Sequence, residues 1–356
     1  MNKLNVLMIG PARSVKGGMT TVVDGYYSGK LDQKVNLKYI ETVNDKNALS
    51  KICKMIKGFF QFIFSINKYD IVHIHMASRL STFRKGIYIR IAKRKKKRVI
   101  LHIHGAEYKI FYGKECNEKQ RKKIRKSFEL VDNIIVLSEE WKDYFKDLVD
   151  ENKIIVLYNA VKVPENFDKD LNTKNILFLG RIGDRKGIFD LLDVIKKLIK
   201  QNDDIKLYVG GDGEVERLQE AIDKNQLTNN VEYIGWTNGE KKDKYLKEVS
   251  YYVLPSYNEG MPMSVLEGMA YKNVTISTNV GGIPKVIHNK ENGIIINPGD
   301  KDELYKSFVE LFSDKKLREK LSLNARKTIE EKFDVNKNVE DVIKIYKGDV
   351  IWKRLD

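Results

Sequence analysis

A chain of 356 residues exceeds the length at which one hydrophobic core goes on growing, so two domains are expected. Its 42% hydrophobic content, with no long low-complexity tract, excludes a disordered or fibrous protein. The net charge of +16 is unevenly spread: residues 1–168 carry 33 Lys and Arg against 18 Asp and Glu, the remainder 32 against 31. An evenly solvated, lysine-rich surface would not divide that way; a basic first half concentrates anionic lipid, acidic glycan or nucleic acid.

Strand and helix alternate along the whole chain, which predicts doubly wound parallel sheets, an α/β architecture. Strands are expected near 4–9, 35–41, 70–76, 98–103, 133–138 and 153–158, with helices at 19–29, 47–66, 82–94, 117–130 and 139–148 between them. The start reads as a first strand and not as a signal peptide. The most apolar run, Phe59 to Ile66, is too short to span a bilayer. Cys53 and Cys116 form no disulfide framework and no ligand cluster, which points to a reducing cytoplasm.

The first loop, Gly10 to Gly18, is glycine-rich but lacks G-x-G-x-x-G, so no dinucleotide site is expected. From Lys51 to Lys68, lysines interleave with Ile and Phe. A basic amphipathic helix on a membrane and a packed core helix both fit that pattern. Lys93, Arg94, Lys95, Lys96, Lys97 and Arg98 then form a cluster of a size that attracts anionic headgroups. The module motifs of nucleic-acid binders are missing. His102, His104, Gly105 and Glu107 close the fourth strand, and alternation sends both histidines to one face. His73 and His75 read as structural, and the histidine spacing is not that of a metal site. Lys162 to Thr173 reads as a linker; its Asp168-Lys169-Asp170 follows no buried strand and is a poor metal-diphosphate motif.

The second half is expected to hold strands near 175–179, 205–209, 231–235, 251–255, 274–278 and 293–297, then helices near 300–312, 315–331 and 336–347. Its loops carry the chemistry. Gly180 to Gly187, G-R-I-G-D-R-K-G, follows a strand and precedes a helix: Arg181 and Lys186 supply charge to a diphosphate while the glycines permit close approach. Gly210 to Glu214 and Gly281 to Pro284 also follow strand ends, where open α/β sheets bind ligands. In N-E-G-M-P-M-S-V-L-E-G-M-A, Asn258 to Ala270, Pro262 suits the first position of a helix. The N–H groups of Met261, Met263 and Ser264 sit at its N-terminus, a place for polar or anionic groups. Glu259 precedes that helix and Glu267 lies just over one turn inside it, spaced to hold separate hydroxyls of one ligand.

G-R-x4-K-G, then P-S-x2-E-G-M-P-x4-L-E-G-M-A, then G-G-I-P, resembles the retaining glycosyltransferases of family 4, most strongly over residues 175 to 300. The resemblance implies the GT-B fold, two Rossmann-like domains facing a cleft: residues 1–165 on the acceptor side, 174–335 on the donor side, and a last segment, 336–356, crossing back. It implies transfer of a sugar from a nucleoside diphosphate sugar, UDP being the family's commonest carrier, to a glycan or lipid-linked acceptor with the anomeric configuration kept. In that reading Arg181 and Lys186 hold the diphosphate without a metal or cofactor, and Glu267 holds ribose. Glu259 and the backbone of Gly260, Met261, Pro262 and Met263 hold the sugar, His104 sits near the reacting carbon, and Gly17 and Gly18 face the donor phosphate. The setting it implies is bacterial surface polysaccharide synthesis at the inner face of the cell membrane. Lys285 stands where G-G-x-P is commonly followed by Glu, which touches donor preference. Two rivals remain: a GT-B nucleotide-sugar epimerase, and a non-catalytic subunit that keeps the fold.

Overall fold

The computed structural model describes residues 3–105 and 107–349; Ala106, within the His102–Glu107 stretch, and the tail from Val350 lie outside them. Twelve strands form two sheets of six. The first comprises β1 (Asn5–Gly10), β2 (Asn36–Glu41), β3 (Ile71–Met76), β4 (Arg98–Ile103), β5 (Asn133–Val136) and β6 (Ile154–Val156). The second comprises β7 (Asn175–Leu179), β8 (Lys206–Gly210), β9 (Val231–Gly235), β10 (Tyr251–Leu254), β11 (Val274–Thr278) and β12 (Ile294–Ile296). Every pairing is parallel. The central strands are apolar runs such as Val6-Leu7-Met8-Ile9, each residue fully buried, because helices cover both faces of such sheets. That is the GT-B pattern of two Rossmann-like halves.

Strand order decides where ligands go. The first sheet runs β2-β1-β3-β4-β5-β6 and the second β12-β11-β10-β7-β8-β9. Connections therefore reverse direction between β1 and β3, and between β7 and β10. In open α/β sheets the crevice outside the strand carboxyl ends at such a reversal binds ligands.

The chain divides into two units. One runs to Lys162 and takes up again at Val335; the other is Val163–Asp334. The helix Val335–Lys347 is tied into the first unit: Val335 N–H donates to Val161 O at 3.0 Å, Asn338 Nδ2 to Tyr158 O at 2.8 Å, and Arg98 Nη1 to Tyr346 O at 2.9 Å. The segment carrying Asp168-Lys169-Asp170 packs on the second unit, where Lys169 Nζ donates to the carbonyls of Leu246 and Lys247 at 2.8 and 2.9 Å.

The basic run before β4 corrects an expectation. Lys93 Nζ donates to both carboxylate oxygens of Asp132, at 2.8 and 2.9 Å, and Arg98 also donates to Asn133 Oδ1 at 2.9 Å. Lys97 Nζ reaches Asn67 O at 3.3 Å, which leaves Arg94, Lys95 and Lys96 as the exposed members. Half of that cluster is only partly exposed and is engaged in fastening the fold.

Candidate active site

The second unit places the loops after β7 and β10 side by side because those strands are neighbours at the reversal. Their approach is closer than side chains allow. Gly187, at φ 70°, lies where a Cβ would come within 2.1 Å of Pro255 O, and Gly281, at φ 57°, within 2.1 Å of Glu259 O. Both positions need glycine for backbone angle and for space. The loops are laced directly as well: Tyr257 N–H donates to Arg185 O at 2.9 Å, Arg185 Nη1 to Asn258 O at 2.9 Å, and Gly282 N–H to Gly260 O at 2.6 Å.

Within that frame Lys186 Nζ meets Glu259 Oε1 at 2.5 Å, with side chains only 13% and 6% exposed. A pair so nearly dry is held by geometry and is costly to break from either side. Arg181, from the same loop, is exposed and makes no hydrogen bond or ion pair among the described residues. A fixed lysine–carboxylate pair and, on the same loop, an uncommitted guanidinium are groups that bind an anion with several oxygens.

The helix Met263–Ala270 starts beside this pair, with Pro262 at its N-cap, one position earlier than the first-turn place expected for it. The N–H groups of Met263 and Ser264 belong to its first turn and have no intrahelical acceptor. Gly260, Met261, Pro262 and Met263 are buried, so what they offer a ligand is backbone. Glu267 is partly buried and accepts from Lys242 Nζ at 2.6 Å. Lys242 went unnoticed in the sequence because one lysine in a lysine-rich helix carries no local signal. Trp236 follows β9 at the sheet's far edge, two strands from the reversal, away from the loops just described.

The first unit presents different chemistry at its own carboxyl edge. Gly17 caps the helix Gly18–Ser28, at φ 141° and with open space where a Cβ would stand. The register sets His75 of β3 opposite His102 of β4, and alternation brings His73 and His104 onto the same face. The four imidazoles form a column with neighbouring ring centroids 4.1–5.5 Å apart. His75 Nδ1 lies 2.8 Å from His104 Nε2, and His73 Nδ1 lies 2.7 Å from Tyr346 Oη. His75, read as structural, is thus the hydrogen-bond partner of His104. One fact legible beforehand pointed to it, the H-x-H spacing on both strands. Glu107 pairs with Arg79, whose guanidinium also holds Glu115.

Burial keeps this column neutral. His73 is pushed down to about 3 by burial and by the charge on His104, and burial alone takes His104 down to about 3. His75 and His102 are held well below the usual imidazole value, burial again leading. The Nε2 atoms of His73, His75 and His102 have no partner among the described residues, and ligand atoms of these three lie within 4.8 Å of one another. The His73 ring is inclined 10° to that of His102 and 25° to that of His75. The column is a neutral hydrogen-bonding stack.

Comparison with known proteins bears on these loops directly. The model "Glycosyltransferase Family 4" matches residues 32–163, and "Glycosyl transferases group 1" matches residues 162–328. The chain belongs to the group 1, family 4 glycosyltransferases. This glycosyltransferase is 27% identical over 93% of its length to an uncharacterized glycosyltransferase of Methanocaldococcus jannaschii, 94% of which is covered. It is 28% identical to a UDP-Gal:alpha-D-GlcNAc-diphosphoundecaprenol alpha-1,3-galactosyltransferase of Escherichia coli, over 91% of this chain and 86% of that one. Sucrose-phosphate synthase from Thermosynechococcus elongatus shares the fold with a TM-score of 0.81 at 16% identity, over 97% of this chain and 99% of that one.

Proposed function

We propose that this glycosyltransferase is a retaining, metal-independent enzyme that takes a sugar from a nucleoside diphosphate sugar, UDP-linked, and places it on a glycan or lipid-linked acceptor in surface polysaccharide synthesis. The observation that carries the reading is the Lys186–Glu259 pair at the β7/β10 reversal, with the exposed and uncommitted Arg181 on the same loop as Lys186. The similarity to a UDP-Gal transferase acting on a diphosphoundecaprenol-linked sugar supports the carrier and the class of acceptor.

In this reading the bond from the anomeric carbon to the diphosphate oxygen breaks while the acceptor hydroxyl bonds to that carbon on the same face. The hydroxyl proton passes to the departing phosphate oxygen. Charge builds on the diphosphate, and Arg181, Lys186 and the first-turn N–H groups of Met263 and Ser264 stabilise it. Glu259 and the buried Gly260–Met263 backbone orient the sugar, and Glu267 holds the ribose hydroxyls. In the first unit, neutral His104 is able to donate or accept a hydrogen bond without adding charge, and Gly17 and Gly18 offer helix-end N–H groups. The acceptor lies at the cytoplasmic face of a membrane. The association in this reading is peripheral; no helix among the described residues is long and apolar enough to cross a membrane.

The test is turnover of UDP-sugars by the purified chain with a lipid-diphosphate-sugar acceptor, product stereochemistry being read by NMR. An α-linked product from an α-linked donor supports the proposal; an inverted product, or an epimer formed from donor alone, overturns it.

A further inference from the structure

The helix Ala48–Ser65 packs with one side only. Phe62 is buried against the Tyr88 ring, centroids 4.9 Å apart, and Phe59 meets the same ring at 6.1 Å. The opposite side carries Leu49, Ile52, Ile56, Phe60 and Phe64, which are 72, 49, 53, 52 and 77% exposed. Steps of three and four residues align them in one stripe about 22 Å long at 1.5 Å per residue. The rings of Phe60 and Phe64 stack at its end, 6.3 Å apart. Five large apolar side chains on one exposed face are more than a monomer's surface ordinarily tolerates without use.

The charge around the stripe says what covers it. No Asp or Glu occurs between Asp45 and Asp70, whereas Lys46, Lys51, Lys57 and Lys68 all lie in that interval and are exposed. Among the described residues the helix's acidic partner is Glu41, which pairs with Lys54 on the flank turned toward β2. A protein partner could complement the apolar stripe alone. An acid-free apolar stripe with Lys57 at its margin and exposed lysines around the helix complements a surface that is apolar inside and anionic at its rim.

We propose that the Leu49–Phe64 stripe inserts into the headgroup–acyl boundary of an anionic bilayer and is the docking surface of the first unit. This rests on the membrane part of the function proposed above and not on its chemistry. It also moves the contact away from the Lys93–Arg98 run, half of which is spent on fastening the fold. Insertion of aromatic and aliphatic side chains carries the binding, and the lysines, with about 1 kcal/mol each near an anionic surface, select the lipid.

Vesicle flotation of the full chain tests this, with phosphatidylcholine vesicles and with vesicles containing about a third phosphatidylglycerol. The wild type is expected to float with the anionic vesicles and to stay bound in part at 0.5 M salt. Phe60→Ser/Phe64→Ser should lower partitioning at least about tenfold, since each phenyl ring buried in the bilayer contributes the burial free energy of a large apolar side chain. Lys51→Glu/Lys57→Glu should remove the preference for anionic lipid, and Lys95→Glu/Lys96→Glu should change binding less than threefold. An environment-sensitive dye on Cys53, exposed on the stripe while Cys116 is buried, should shift to the blue on anionic vesicles. Thermal unfolding and UDP-sugar hydrolysis report whether each variant is folded and whether the chemistry stands, separately from binding. Unaltered flotation of the phenylalanine variant overturns the proposal, as does a dye that sees no change. A chain that ignores vesicles and instead forms a dimer dissolved by Phe60→Ser/Phe64→Ser also overturns it, making the stripe a contact between copies.

Discussion

The carboxyl edges of the two sheets meet opposite electrostatic demands with opposite residue choices. At the β7/β10 edge, charges are kept and locked together: Lys186 on Glu259, Lys242 on Glu267, with Arg181 left over. At the β3/β4 edge, three titratable rings are stacked out of water with the half-buried His104 at their end, and all four are kept uncharged. The first edge suits a group that carries charge and gains more as the reaction proceeds. The second suits a neutral group that must be oriented without being protonated. Ion pairs can hold geometry in a nearly dry loop because each charge has its partner, whereas an unpaired imidazolium in the same dryness would not persist.

Breaking the charged edge should produce the largest effects. Lys186→Ala leaves Glu259 buried without its cation and should cost about 3–5 kcal/mol of stability by denaturant unfolding, with Lys186→Met/Glu259→Gln recovering most of it. If the single variant unfolds at the wild-type denaturant concentration, the pair is wetter than the structure has it. Arg181→Ala touches an exposed side chain, so folding should hold while kcat falls about 10²–10³, as for loss of one contact to developing charge. Wild-type turnover in that variant would remove Arg181 from the chemistry.

The neutral edge is broken by acid. His73 and His104 have native values of about 3, below the ordinary 6.5 of the unfolded chain, so the unfolded state binds more protons between those limits. Their stabilising contribution is therefore complete above about pH 6.5 and is lost progressively as pH falls toward 3. Urea midpoints measured from pH 7 to pH 5 should fall, and His73→Phe should flatten the slope; an unchanged slope would mean that water reaches the column. The smallest effect is expected at the partly buried Lys242–Glu267 pair: Lys242→Ala should raise the donor KM severalfold with kcat nearly unchanged, since it removes only the cation that orients Glu267. A fall in kcat equal to the change in kcat/KM would place Lys242 in the transition state instead.

The twelve strands were legible in the amino-acid order because parallel strands covered on both faces must be continuous apolar runs, and the glycines that follow them must allow crowded turns. The four glycine-bearing loops of the second half were legible for the same reason, since Gly187 and Gly281 answer to backbone geometry that no other residue accepts. Partnership was not. That Lys186 meets Glu259 across 73 residues, that His75 meets His104, that Lys93 and Arg98 are spent on Asp132 and Asn133, and that Phe62 is buried while Phe60 and Phe64 face outward were all decided in three dimensions. A local pattern sets the face on which a side chain stands, through periods of 2 and 3.6 residues. Which face is covered, and by which distant charge, depends on strand order and helix placement, and these belong to the tertiary structure alone.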